Sequence, residues 1–67
     1  MINKTKLHGA LTDAFIHYQY NLEKPFDGWT ESREKKIAHY QTDGIFHAKV
    51  DNIAAGVMSI VLENIAD

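Results

Sequence analysis

The sequence predicts an all-α fold: an antiparallel helical hairpin with a long second helix, self-associating into a helical bundle. Three observations predict it. Apolar residues recur at helical spacing through residues 3–22, and the turn formers Pro25, Asp27 and Gly28 gather in one place. From Ile53 onward, apolar residues cover more of a helix than one short partner can bury. The chain reads as one domain: a helix over about 3–22, an elbow over 23–29 and a helix over about 30–66.

The first helix opens at Asn3, a residue type whose side chain accepts from the unpaired amides of a first turn. Leu7, Ala10, Leu11, Ala14, Phe15, Tyr18 and Leu22 follow on an arc of about 140° at ~100° per residue. This arc is the expected contact face. Ile16 and Tyr20 fall on the opposite side, one turn apart, and are candidates for binding a partner protein.

In the elbow, "LEKPFDGWT", Phe26 and Trp29 flank Asp27 and Gly28. They are expected to fold over the open end of the hairpin near Tyr18 and Leu22 and seal it. The alternative leaves Trp29 exposed as an anchor for a partner, a role aromatic residues often fill.

Thr30 is the expected N-cap of the second helix, with Glu31 and Glu34 in a first turn where the helix dipole favours negative charge. No proline follows. Glycine costs a helix only about 1 kcal/mol relative to alanine, so Asp43-Gly44 does not by itself forbid a continuous helix of roughly 55 Å. A first helix of about 20 residues reaches only to about Val50 on such a partner. Beyond that limit the apolar arc widens to about 240°, which places a self-association interface at Ile53, Ala54, Val57, Met58, Ile60, Val61, Leu62 and Ile65. Asn64 falls inside that arc, where it either fixes a pairing register or lies at a frayed end. The alternative is a monomeric three-helix bundle broken near Gly44, with the C-terminal half folded back.

Size favours association. A chain of 67 residues has a small core, and the absence of cysteine removes disulfides and thiolate metal sites as staples. Oligomerisation is what remains. The formal charge of −2 provides no general attraction to phosphate. The N-terminus lacks the apolar run of a secretory signal, and residues 53–62 are too short a stretch to span a bilayer, so a cytoplasmic chain without membrane contact is expected.

The residues that could carry chemistry are few. His39, Asp43 and His47 at i, i+4 and i+8 offer metal-ligand types, but the two histidines stand roughly 12 Å apart along a helix axis, and no metal or other cofactor is expected. Asp13 and His17 form a further i, i+4 pair. Arg33, Lys35 and Lys36, with Lys4 and Lys6, make the alternative reading, a small nucleic-acid-binding protein, although no recognition motif accompanies them. There is no glycine-rich phosphate loop, no cysteine nucleophile and no serine elbow, so no enzymatic activity is expected.

The run "PFDGWTESREKKIAHYQTDGIFHAKVDNIAAGVMSIVLE" resembles the small helical accessory proteins that temperate tailed phages encode in their lambdoid early regions. The resemblance implies a non-enzymatic protein that modulates a host protein by direct contact, in the host cytoplasm. It carries no site residues with it.

Overall fold

The computed structural model describes residues 3–65. The expected helix end at Ala66 lies outside them. Three helices make up the fold: α1 (Lys4–Glu23), α2 (Arg33–Thr42) and α3 (Gly44–Ile65). There is no strand among the described residues.

Asn3 caps α1 as its residue type predicts, its side chain accepting from the Lys6 amide at 3.0 Å. The helix closes at Glu23, where the Lys24 amide reaches the Tyr20 carbonyl at 2.9 Å. The elbow is wound more tightly than the sequence suggests. The Gly28 amide donates to the Lys24 carbonyl, and the amides of Thr30 and Glu31 both donate to the Asp27 carbonyl. Because the Thr30 hydroxyl also turns back to Asp27, Thr30 is spent inside the elbow and Ser32 becomes the N-cap of α2, accepting from the Lys35 amide at 3.2 Å.

The long second helix is broken, which corrects the leading hairpin arrangement. Asp43 alone separates α2 from α3, in extended backbone at φ −104° and ψ 109°. Its amide ends α2 on the His39 carbonyl, and its carboxylate begins α3 by accepting from the Ile45 and Phe46 amides, both at 3.0 Å. The Phe46 amide, above all, holds the Asp43 carboxyl below the usual carboxylate range. Gly44 does not cause the break: no glycine adopts positive φ. The three-helix alternative placed its break near Gly44, and the structure has it one residue earlier because an aspartate can cap what a glycine merely tolerates.

The core sits where the three helices meet. Ile16 and Tyr20 of α1 pack with Phe46 and Val50 of α3, with Phe15 and Tyr40 at the margin. Aromatic edges organise it: Tyr20 meets Phe46 at 6.3 Å and His39 at 5.6 Å between ring centroids, both nearly perpendicular. Lys36 is also buried, with its ammonium on the Asn21 side-chain oxygen at 2.9 Å and near the Tyr20 ring. Gln19 is buried with its amide on Glu23 at 2.7 Å. Among the described residues, no buried side-chain polar atom lacks a partner.

Two measures show how little this core covers. The radius of gyration is 13.0 Å, against roughly 11 Å for a compact chain of this length. The surface of 4912 Å² exceeds by about 600 Å² what a folded monomer of this mass normally exposes.

A polar clamp braces the joint between α2 and α3. The Tyr40 hydroxyl donates to Asp51 at 2.5 Å, and His47 lies 2.8 Å from the other Asp51 oxygen with its ring stacked on Tyr40. Burial, reinforced by the Asp51 carboxylate, pushes the Tyr40 hydroxyl up to about 12. A folded value above the unfolded one of 10.0 means that the clamp's contribution is complete below pH 10 and is lost as pH rises toward 12. The tyrosinate difference spectrum between wild type and Tyr40→Phe should therefore titrate near pH 12. Asp51→Asn should bring the midpoint part of the way back, since burial remains. A midpoint at the ordinary tyrosine value would remove the clamp.

Candidate functional site

Large apolar side chains are left uncovered where α1 runs into the elbow. Tyr18 and Leu22, one turn apart on α1, are 59% and 61% exposed, and Phe26 and Trp29 beyond them are 89% and 78% exposed. Tyr18, Asn21, Leu22 and Trp29 enclose a hollow of ≈ 270 Å³. Its shape comes from the local chain. Gly28 lies so close to α1 that an added Cβ would stand 2.6 Å from the Lys24 carbonyl oxygen and 2.8 Å from the Asn21 Cα. Only glycine lets the elbow press this tightly against the helix and bring Trp29 beside Tyr18 and Leu22. Phe15 braces the Tyr18 ring from the core side at 6.3 Å, edge to face.

This placement corrects the expected partner-binding residues. Ile16 and Tyr20 are buried in the chain's own core and are not available to a second protein. The apolar arc of Leu7, Ala10, Leu11, Ala14, Phe15, Tyr18 and Leu22, which outnumbers them, faces largely outward: Ala10, Ala14, Tyr18 and Leu22 are exposed, the others half-buried. A count of aliphatic residues gives no weight to the face that won, because beside Ile16 it is built from the Tyr20 ring, met edge-on, and from Gln19, with Lys36 of α2 laid against it; the stems of Gln19 and Lys36 are buried while their heads are bonded. Trp29, in turn, does not seal the hairpin. It stands near Tyr18 and Leu22 as expected, but as an exposed wall of the hollow.

On α3, the residues expected to associate are divided. Ala54 is fully buried inside the chain and drops out. Ile53, Val57, Met58, Val61 and Leu62 are half-buried, while Ile60 and Ile65 are exposed. Asn64 turns its amide back to the Ile60 carbonyl at 2.8 Å, a bond within its own helix. By length and composition α3 is the one helix, among the described residues, that is long and apolar enough to cross a membrane. It also contributes Phe46, Val50 and Ala54 to the interior.

The basic residues of α2 are each engaged. Arg33 pairs with Asp13 at 2.8 Å, Lys35 with Glu31 at 3.0 Å, and Lys36 is buried on Asn21. The same carboxylates favour the charged forms of Arg33 and Lys35. His39 lies 3.8 Å from Asp43, whereas His47 turns to Asp51, so the two histidines work in separate pairs. No group of three metal-ligating side chains occurs among the described residues.

Folding Phe26 and Trp29 over the open end of the hairpin near Tyr18 and Leu22 hides Phe26, Tyr18 and Leu22 as surface, where the structure exposes them. The nine residues from Lys24 to Ser32 that join α1 to α2 wind into successive turns, which leave Phe26 and Trp29 on the outside. Compared with family models, with curated proteins and with solved structures, the chain matches none of them.

Proposed function

We propose that this chain is a non-enzymatic protein-interaction module, with the face formed by Tyr18, Leu22, Phe26 and Trp29 as its binding surface. One observation carries the reading: Tyr18, Leu22 and Trp29, each more than half exposed, line a hollow, with exposed Phe26 three residues before Trp29, on a chain with a small core. Isolated surface apolar residues are ordinary, but a contiguous group around a concavity is the usual mark of a recognition site. Aromatic anchors of this kind dominate binding energies.

Self-association remains part of this reading. The half-buried state of Ile53, Val57, Met58, Val61 and Leu62 moves the leading contact from α3 to α1 and the elbow. The likeness to phage accessory proteins adds a host protein as the class of heterologous partner and a host cytoplasm as its setting. Nucleic acid is the weaker reading, because Lys36 is buried and Arg33 and Lys35 already face carboxylates. Phosphate would have to displace both.

Affinity capture from the native cell tests the reading. Proteins retained by the tagged wild type should be lost with the Leu22→Ser/Trp29→Ser double variant, whose core is untouched because both residues are exposed. Partners retained equally by both chains would sink the assignment of this face.

A further inference from the structure

We propose that the occupant of this surface is a second copy of the chain, in a two-fold dimer where Phe26 of each protomer enters the hollow of the other. The inference rests on the interaction reading above and specifies its partner.

A two-fold interface requires one surface to carry both halves of the contact, so that residue i meets residue j and j meets i. The elbow carries both. Phe26, at 89% exposure, is the most exposed of the large apolar residues and projects between Pro25 and Asp27. Leu22 and Trp29, the walls of the hollow, lie four residues before it and three after. Knob and socket therefore lie within four residues of one another at the same elbow. The hollow of ≈ 270 Å³ is small for a drug-sized ligand, for which pockets run to about 300–1,000 Å³, and is of a size to take one side chain.

The area agrees. With an aromatic side chain presenting on the order of 200 Å², the exposed parts of Tyr18, Leu22, Phe26 and Trp29 amount to roughly 500–600 Å². A stable complex of standard size buries about 800 Å² on each partner. Ala10 and Ala14, exposed on the same arc of α1, extend the patch toward that figure and allow close backbone approach.

Charge also permits a self-contact. The hollow's four lining residues, Tyr18, Asn21, Leu22 and Trp29, carry no formal charge, so two copies meet there without like-charge repulsion and no oppositely charged partner is called for.

Sedimentation equilibrium and Trp29 emission test the dimer together, Trp29 being the only tryptophan. The wild type should reach twice 7.6 kDa at micromolar to millimolar concentration, with emission shifting to the blue as the dimer forms. Phe26→Ser should keep its helical circular dichroism, because an exposed ring contributes nothing to the monomer's core, and should weaken dimerisation about tenfold or more. Phe26→Trp should retain it.

A wild type that stays monomeric throughout would overturn the proposal. So would a dimer indifferent to Phe26→Ser, or one dissociated by Met58→Glu and not by Phe26→Ser, which would place the contact on α3. If the chain is monomeric while capture still depends on Leu22 and Trp29, the second copy fails and the interaction reading survives. If capture is indifferent as well, both fail.

Discussion

Phe46→Ala should leave the chain largely unfolded at room temperature. Phe46 is 2% exposed, and its ring meets both the Tyr20 ring of α1 and the His39 ring of α2. Truncating a buried phenylalanine costs about 3–5 kcal/mol, part from lost transfer energy and part from the cavity left behind. A domain of this length holds about 3–10 kcal/mol in total. With so few buried apolar residues, the chain belongs toward the lower end of that range. Urea unfolding followed by circular dichroism checks this. A midpoint close to that of wild type would mean that the meeting point of the three helices is not what holds the fold together. Dimerisation would raise the apparent stability with concentration, so the comparison belongs at matched protein concentration.

Gly28→Ala should be the next most damaging change, by about 2–3 kcal/mol. The added methyl would meet the Lys24 carbonyl at 2.6 Å and the Asn21 Cα at 2.8 Å, both backbone atoms that side-chain rotation cannot relieve. The elbow must open, and with it the wall that Trp29 forms. Gly9 and Gly56 provide the control. An added Cβ at either meets nothing within 4 Å, and alanine within a helix is favoured by about 1 kcal/mol over glycine. Gly56→Ala should therefore raise the urea midpoint while Gly28→Ala lowers it. Equal effects from the two substitutions would refute the close approach at the elbow.

Much of the architecture was legible from the chain because it rests on local chemistry. Asn3 as a cap and the elbow around Pro25 and Gly28 are each decided by residues within a turn of one another, whereas the break at Asp43 belongs only to the three-helix alternative. The face that α1 turns inward was not legible. Its choice depends on Phe46 and His39 reaching Tyr20 from distant parts of the sequence, and on Lys36 finding Asn21, contacts that no helical periodicity encodes. The error on α1 also determined the error at the site: with Tyr18 and Leu22 assigned to the interior, Phe26 and Trp29 were expected to follow them in. The C-terminal half of α3 is apolar and incompletely covered, with Ile60 and Ile65 exposed, but Ala54 had already been taken by the core.

The single residue between α2 and α3 gives the fold a pivot. Beyond it, α3 extends for 22 residues, about 33 Å at 1.5 Å per residue. A tilt of roughly 10° at Asp43 would sweep the far end, at Ile65, through about 6 Å, yet move Phe46, within a turn of the pivot, by less than about 1 Å. Contacts beside Asp43 therefore have leverage on the direction of the long arm. Tyr20 and His39 grip Phe46 beside the fulcrum, and Tyr40 and His47 hold Asp51 two turns along. Farther along, buried Ala54 and half-buried Val57 and Val61 continue the packing that fixes the bearing of the apolar terminus.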